Sequence, residues 1–344
     1  MAPHPHHPPV RAVADGGVGR LLLDRPAALN ALDLEMVRLL TAALDRWRDD
    51  DSVHAVVIAS TSPKAFCAGG DIRAVREAAL RGDLAAVRAY FAAEYALDAA
   101  IAGYPKPYLA LIDGFALGGG LGISVHGTLR VVTERAGLAM PETAIGFFPD
   151  IGAGYFLPRL PGSVGMYLGL TGTRISGAAA VECGLATHYL PSSELPALEA
   201  ALRDGGGTRT AELVAGFATA PPASELRGHY PAIDRCFSAP TLDEVFDRLT
   251  AERDDWARET LTVLGRMSPA SLFLTFELLR RGAGSSLEEC LARELRLACR
   301  VAAGHDFAEG VRAALVDKDR APVWSPASLG ETDRAELRSW LDER

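Results

Sequence analysis

Two glycine-rich turns, AGGD at 68–71 and LGGG at 117–120, carry the clearest chemical signal in the sequence. Each stands where an apolar strand pattern gives way to a helical one, and glycine lets a ligand approach backbone N–H groups that a side chain would shield. Together the two turns could aim two amide donors at one oxygen, the construction that stabilises negative charge developing on a carbonyl. Competing chemistries lack their motifs: there is no GxGxxG after the first strand, no GxxxxGK[ST], no GxSxG and no HExxH. Cys67, Cys183, Cys236, Cys290 and Cys299 form an odd set without CxxC spacing, which reads as reduced thiols and no metal. His4, His6 and His7 lie among prolines, where a frayed tail over residues 1–12 is expected rather than a metal site.

The elements that must position these turns follow from hydrophobic period. GRLLLDRP from residue 19 reads as a strand stopped by proline, residues 32–47 as a helix, and HAVVIAS (54–60) as a second strand. A long helical stretch from the first glycine turn to about residue 101 leads to the strand PYLALIDG (107–114), and LRVVTE (129–134) follows the second turn. This alternation predicts an α/β architecture. The segment PETAIGFFPDIGAGYFLPRL (141–160) is interrupted by Gly146, Pro149 and Gly152, so it must be loop with short helical turns. GGG at 205–207 and APPAS at 220–224 mark a composition shift, placing a boundary near 205 between a core of 13–205 and a helical region of 206–344.

With 344 residues, 49% hydrophobic and 23% charged, the chain should fold. A formal charge of −9 argues against nucleic acid or an anionic membrane as partner, and an anionic ligand would need a local basic pocket. The start of the chain lacks an apolar signal region, and no run approaches membrane-spanning length, so a soluble cytoplasmic protein is expected.

RPAALNAL (25–32), KAFCAGGDI (64–72), DGFALGGGLGISVHG (113–127) and AMPETAIGFFPDIGAGYFLPRL (139–160) together resemble the crotonase (enoyl-CoA hydratase/isomerase) superfamily. SVHG, PETAIGxFPD and GHDFAEGVRAALVDKDRAPVW (304–324) make the chain look most like its 3-hydroxyisobutyryl-CoA hydrolase branch, over roughly residues 18–342. The resemblance implies a spiral of ββα turns in two sheets with a helical C-terminal region, often assembled as trimers. It implies an acyl-CoA substrate, with coenzyme A part of that substrate and no separate cofactor.

Carried over by position, the resemblance puts oxyanion donors on the amides of Gly70 and Gly119, and substrate contacts at Lys64, Ala68, Asp71, Ile72 and Gly118. Hydratases of the superfamily use two glutamates; here the first position is Gly122, which cannot exchange a proton. Glu142 remains, and Asp150 stands eight residues on. That pair implies hydrolysis of a short 3-hydroxyacyl thioester, Glu142 acting as general base on water or as nucleophile and Asp150 orienting the 3-hydroxyl or the water. In an apolar pocket with Ile145, Phe147 and Phe148, at least one of the two should titrate near neutrality. Ala27 replaces a CoA-contacting lysine of many relatives, leaving Arg25 or Arg73 to compensate, and Ala153 replaces a glycine usual in the branch. Cys67 and His126 are expected to be packed rather than reactive. A hydratase, a proton-shifting isomerase such as a dienoyl-CoA isomerase, and a non-catalytic thioester- or RNA-binding protein are the rival readings. The acyl group stays open, since one methyl is worth only about 1–3 kcal/mol of discrimination.

Overall fold

The computed structural model describes residues 8–342. They form two compact units. The first takes the chain up to Gly70 with Ala96–Leu138 and Ile175–Ser224; the second takes Asp71–Tyr95, Ala139–Arg174 and the chain from Glu225.

The first unit holds two sheets. One contains β1 (Val10–Asp15), β2 (Val18–Leu23), β3 (Ala55–Ser60), β5 (Tyr108–Ile112), β7 (Leu129–Val132) and β10 (His188–Tyr189), in the order β1-β2-β3-β5-β7-β10. The other contains β4 (Ala65–Cys67), β6 (Phe115–Leu117), β8 (Gly137–Ala139) and β9 (Ile175–Ser176) in that order. All pairings from β2 to β10 in the first sheet are parallel, which explains why β3 and β5 read as unbroken apolar runs: parallel strands are covered on both faces. Val57, Leu109, Leu111 and Val131 pack against Leu195, Leu198 and Leu202 of the helix Leu195–Asp204.

The chain repeatedly runs from the first sheet into the second and then into a turn that carries candidate site residues. β3 leads to β4 and AGGD, β5 to β6 and LGGG, and β7 to β8 and the PETAIG turn. The helices that follow are α2 (Ile72–Leu80) and α4 (Gly119–Val125), and the 3-10 turn Glu142–Ile145 takes the third place. This is the ββα repeat that the crotonase resemblance implies.

Three expectations need correction. Residues 10–12, assigned to a frayed tail, belong to β1: Val10 is buried and pairs with Leu23, and the hairpin closes through Gly16 and Gly17 at φ 54 and 74. Two left-handed residues are what a two-residue hairpin of matching twist demands. Residues 1–7, with His4, His6 and His7, lie outside the described residues. The glycines at 205–207 are a close backbone approach within the first unit, since a Cβ on Gly17 would stand 2.2 Å from the Gly206 carbonyl oxygen; the unit ends instead at Ser224, in APPAS. The long helix expected after the first glycine turn is two, α2 and α3 (Leu84–Ala102), separated at Gly82 with φ 74.

The second unit is helical, and its loop Pro141–Asp150 is fastened by the C-terminal block. A Cβ on Gly146 would lie 2.1 Å from the Asp306 carbonyl oxygen, and one on Gly310 2.3 Å from the Ile145 carbonyl carbon. The two motifs, far apart in sequence, touch through glycines. Ser268 ties them further: its amide donates to Thr143 O at 3.1 Å and its hydroxyl to Asp306 Oδ2 at 2.6 Å.

Candidate active site

In the first unit, β4 and β6 are parallel neighbours, so their C-terminal ends bring the two glycine turns together. A Cβ on Gly69 would fall 3.1 Å from Leu117 O and 3.7 Å from the Gly119 nitrogen, and one on Gly120 only 2.4 Å from Cys67 O. Gly69 has φ 99, and Gly118 caps α4 at φ 46 and ψ −120, a conformation that a Cβ disfavours strongly. Gly70 makes a parallel bridge with Leu32, and Gly119 opens α4. The predicted donors Gly70 and Gly119 therefore lie on adjacent turns of one unit. Cys67 is buried with its Sγ 3.1 Å from Asn30 O, a packed thiol.

Gly122 is not simply an empty position. A Cβ there would be 2.8 Å from Oδ1 of Asp98, a fully buried carboxyl on α3. The place beside the glycine already holds an acid, supplied from another helix.

In the second unit, Glu142 and Asp150 are 7% and 5% exposed on the same loop. Glu142 Oε2 has no hydrogen-bond partner among the described residues, whereas Asp150 Oδ2 accepts from the Tyr95 hydroxyl at 2.6 Å. Burial, then the charge of Asp150, push Glu142 well above the ordinary carboxylate range. Burial raises Asp150 to about 7 despite the lowering effect of Tyr95. Phe147 stacks on Phe148 at 4.6 Å and on Phe91 at 5.5 Å, making this part of the loop apolar; Ile145 is only half-buried.

Two further acids were missed from the sequence. Glu94, beside Tyr95 on α3, is buried, and burial together with Asp150 raises it strongly. Glu294, on the helix Leu287–Ala302, is fully buried and is raised to about 8, chiefly by burial. Both sit in the apolar stripe of their helix: Glu94 three residues from Phe91 and Leu97, Glu294 three from Leu291 and Leu297. An acid at a stripe position was the available signal.

The remaining predicted contacts divide between the two units. Lys64 is exposed immediately before β4, Ala68 is half-buried with its amide on Leu29 O, and Gly118 is buried at the cap of α4. Asp71 and Ile72, at the start of α2, belong to the second unit. Arg25 is engaged within its own turn, donating to Ala31 O at 2.9 Å and lying 3.5 Å from Asp33; Arg73 donates to Leu315 O.

A repeating ββα core with paired glycine turns defines a crotonase-type protein, and a family model described as Enoyl-CoA hydratase/isomerase matches residues 18–341. The chain belongs to that family, within the crotonase superfamily. More particularly, it is similar to proteins named 3-hydroxyisobutyryl-CoA hydrolase, mitochondrial: 44% identical to that of Gallus gallus over 92% of this chain and 84% of the relative, and 42% identical to that of Homo sapiens over 94% and 86%. Among solved structures, a carnitinyl-CoA dehydratase from Mycobacterium thermoresistibile is 38% identical with TM-score 0.93, covering 98% of this chain and 97% of that one. An enoyl-CoA hydratase from Rhodobacter sphaeroides 2.4.1 is 40% identical with TM-score 0.91, covering 97% of each.

Proposed function

We propose that the protein hydrolyses a short 3-hydroxyacyl-CoA thioester, of the 3-hydroxyisobutyryl-CoA kind, to the free acid and coenzyme A. The buried, electrostatically linked pair Glu142 and Asp150 carries this reading, supported by the names of the curated relatives. The amides of Gly70 and Gly119 polarise the thioester carbonyl. Glu142 takes a proton from water as the water attacks the carbonyl carbon and passes it to the departing sulfur, or attacks that carbon itself to form a transient anhydride, which water then cleaves to the free acid and the restored Glu142 carboxylate, giving its proton to the thiolate. The carbon–sulfur bond breaks, and the CoA thiolate leaves and is protonated. Asp150 orients the substrate hydroxyl or the water.

No cofactor beyond the substrate's own CoA is needed for these steps, and Lys64 is proposed to face the CoA phosphates as a point charge, with Ala68, Asp71, Ile72 and Gly118 lining the thioester's path. The cytoplasm is proposed as its compartment; no helix among the described residues is long and apolar enough to cross a membrane, and the named relatives are mitochondrial. Fractionation of cells tests the compartment, and sizing tests the trimer that the family implies.

A second reading is favoured by Asp98, whose carboxyl stands beside Gly122, and by the dehydratase and hydratase names of the solved relatives. Chromatography of products from 3-hydroxyisobutyryl-CoA and crotonyl-CoA separates the two. Free CoA and 3-hydroxyisobutyrate are expected; 3-hydroxybutyryl-CoA with its thioester intact, lost in Asp98→Asn, would establish the hydratase instead.

The oxyanion assignment has its own test. Gly118→Ala forces a Cβ into a backbone conformation costing on the order of 1–3 kcal/mol, and relief of that strain turns the next amide, that of Gly119. With one donor misaligned, kcat should fall by roughly 10²-fold or more while the protein stays folded, as steady-state kinetics beside a melting curve will show.

A further inference from the structure

We propose that Glu294 is a positioning residue for Asp150: its carboxyl group holds the backbone that follows Asp150 and so fixes where the Asp150 side chain stands. The inference rests on the hydrolase reading and deepens it.

Glu294 lies in the middle of the helix Leu287–Ala302, on the buried stripe with Cys290, Leu291, Leu297, Ala298 and Val301. Burying a carboxylate there is costly unless hydrogen bonds replace its water. They do: Gly152 N donates to Oε2 at 2.6 Å and Gly154 N to Oε1 at 2.9 Å. Those amides are two and four residues past Asp150, and the amide between them, Ala153 N, donates back to the Asp150 carbonyl at 2.8 Å.

The backbone being held is not relaxed. Ile151, a β-branched residue, has φ 54, and Gly152 has φ 84. Left-handed isoleucine is a costly conformation that persists only where its surroundings impose it. Glu294 accepts hydrogen bonds from the chain on the far side of that turn. Asp150 is thus anchored twice, by Tyr95 on its carboxyl group and by Glu294 through its backbone. The space around the clamp is closed: a Cβ on Gly154 would lie 3.0 Å from Glu294 Oε1, and one on Gly282 would strike Gly154 O at 1.8 Å.

Glu294→Gln keeps the volume and one acceptor but sets an NH2 group against one of the two amides. A displacement near 1 Å in a reacting constellation is worth about 10²-fold in rate. The expected result with 3-hydroxyisobutyryl-CoA is a kcat lowered roughly 10- to 100-fold at nearly unchanged KM, with a melting temperature lowered by the buried amide left without an acceptor. The acid limb of the pH–rate profile should also move, and Glu294→Asp, which keeps the carboxyl group but is one methylene shorter, should not restore the rate. A folded Gln variant with wild-type kcat and an unmoved limb overturns the proposal, as does full recovery in Glu294→Asp. If Glu294→Gln fails to fold, Gly154→Ala presses on Oε1 while leaving the carboxylate in place; wild-type kcat in that variant also overturns it. Wild type unable to release CoA from this thioester would sink the hydrolase reading itself, and is seen before any variant is made.

Discussion

Glu142→Gln is expected to lose thioester hydrolysis by a factor on the order of 10³, with free CoA from 3-hydroxyisobutyryl-CoA falling toward the uncatalysed rate. Glutamine matches glutamate in shape, so packing of the 3-10 turn Glu142–Ile145 is preserved. What it removes is a group able to accept a proton or form an acyl bond. A positioned base contributes about 10²–10⁴-fold, and loss of a nucleophile costs at least as much. The effect should sit in kcat, because the turn amides of Gly70 and Gly119 that would hold the carbonyl are untouched. The wild-type rate should rise with pH through a limb above the ordinary glutamate range, since burial and Asp150 both raise Glu142. Single turnover in 18O-labelled water separates the two routes. Label in Glu142 marks the anhydride; label confined to the released acid marks attack by water at the substrate carbonyl. Hydrolysis retained in Glu142→Gln would remove this residue from the chemistry.

Much of this was legible in local sequence, because local requirements leave local marks. Turns whose backbones approach closely need glycine, as at Gly69 and Gly120, so AGGD and LGGG stood out; parallel strands covered on both faces read as the apolar runs of β3 and β5. Glu142 and Asp150 could be singled out as candidates from one motif because they are close in sequence, and both are buried on one loop. What escaped was decided by burial between distant segments. Glu294 comes to Gly152 from 142 residues away, and in isolation LARELRLA reads as a helix with a solvated acid. Glu94 was hidden the same way in AAEYALDAA. Gly122 was read correctly as lacking an acid, yet the acid filling its space, Asp98, belongs to a helix whose side-chain directions only the fold determines. The N-terminal strand β1 was lost to the prolines before it, although the glycine pair after Asp15 was already a hairpin signal.

Asp150→Asn is expected to make the protein more stable than wild type above neutral pH, while abolishing or sharply reducing turnover. Burial raises the folded pKa of Asp150 to about 7, against an ordinary value near 3.8 in the unfolded chain. Between these values the unfolded state releases a proton that the folded state keeps, so stability falls as pH rises. The stabilising contribution of the proton is complete below about pH 4, declines from there to about pH 7, and is gone above it. A shift of about three units corresponds to something on the order of 4 kcal/mol. Asparagine carries no charge at any of these pH values, and its amide oxygen can still accept from the Tyr95 hydroxyl that now meets Asp150 Oδ2. It also removes the charge that helps raise Glu142 and Glu94, so their own cost of ionisation in the folded state declines as well. Melting curves should therefore place Asp150→Asn several degrees above wild type at pH 8, the difference shrinking to nothing near pH 4. A variant less stable than wild type at pH 8 would mean that the ionised carboxylate is held by favourable contacts and that burial does not dominate. The expected outcome instead ties function to instability: a carboxyl group that ionises near neutrality inside an apolar loop is available for chemistry because the fold tolerates its charge at a cost.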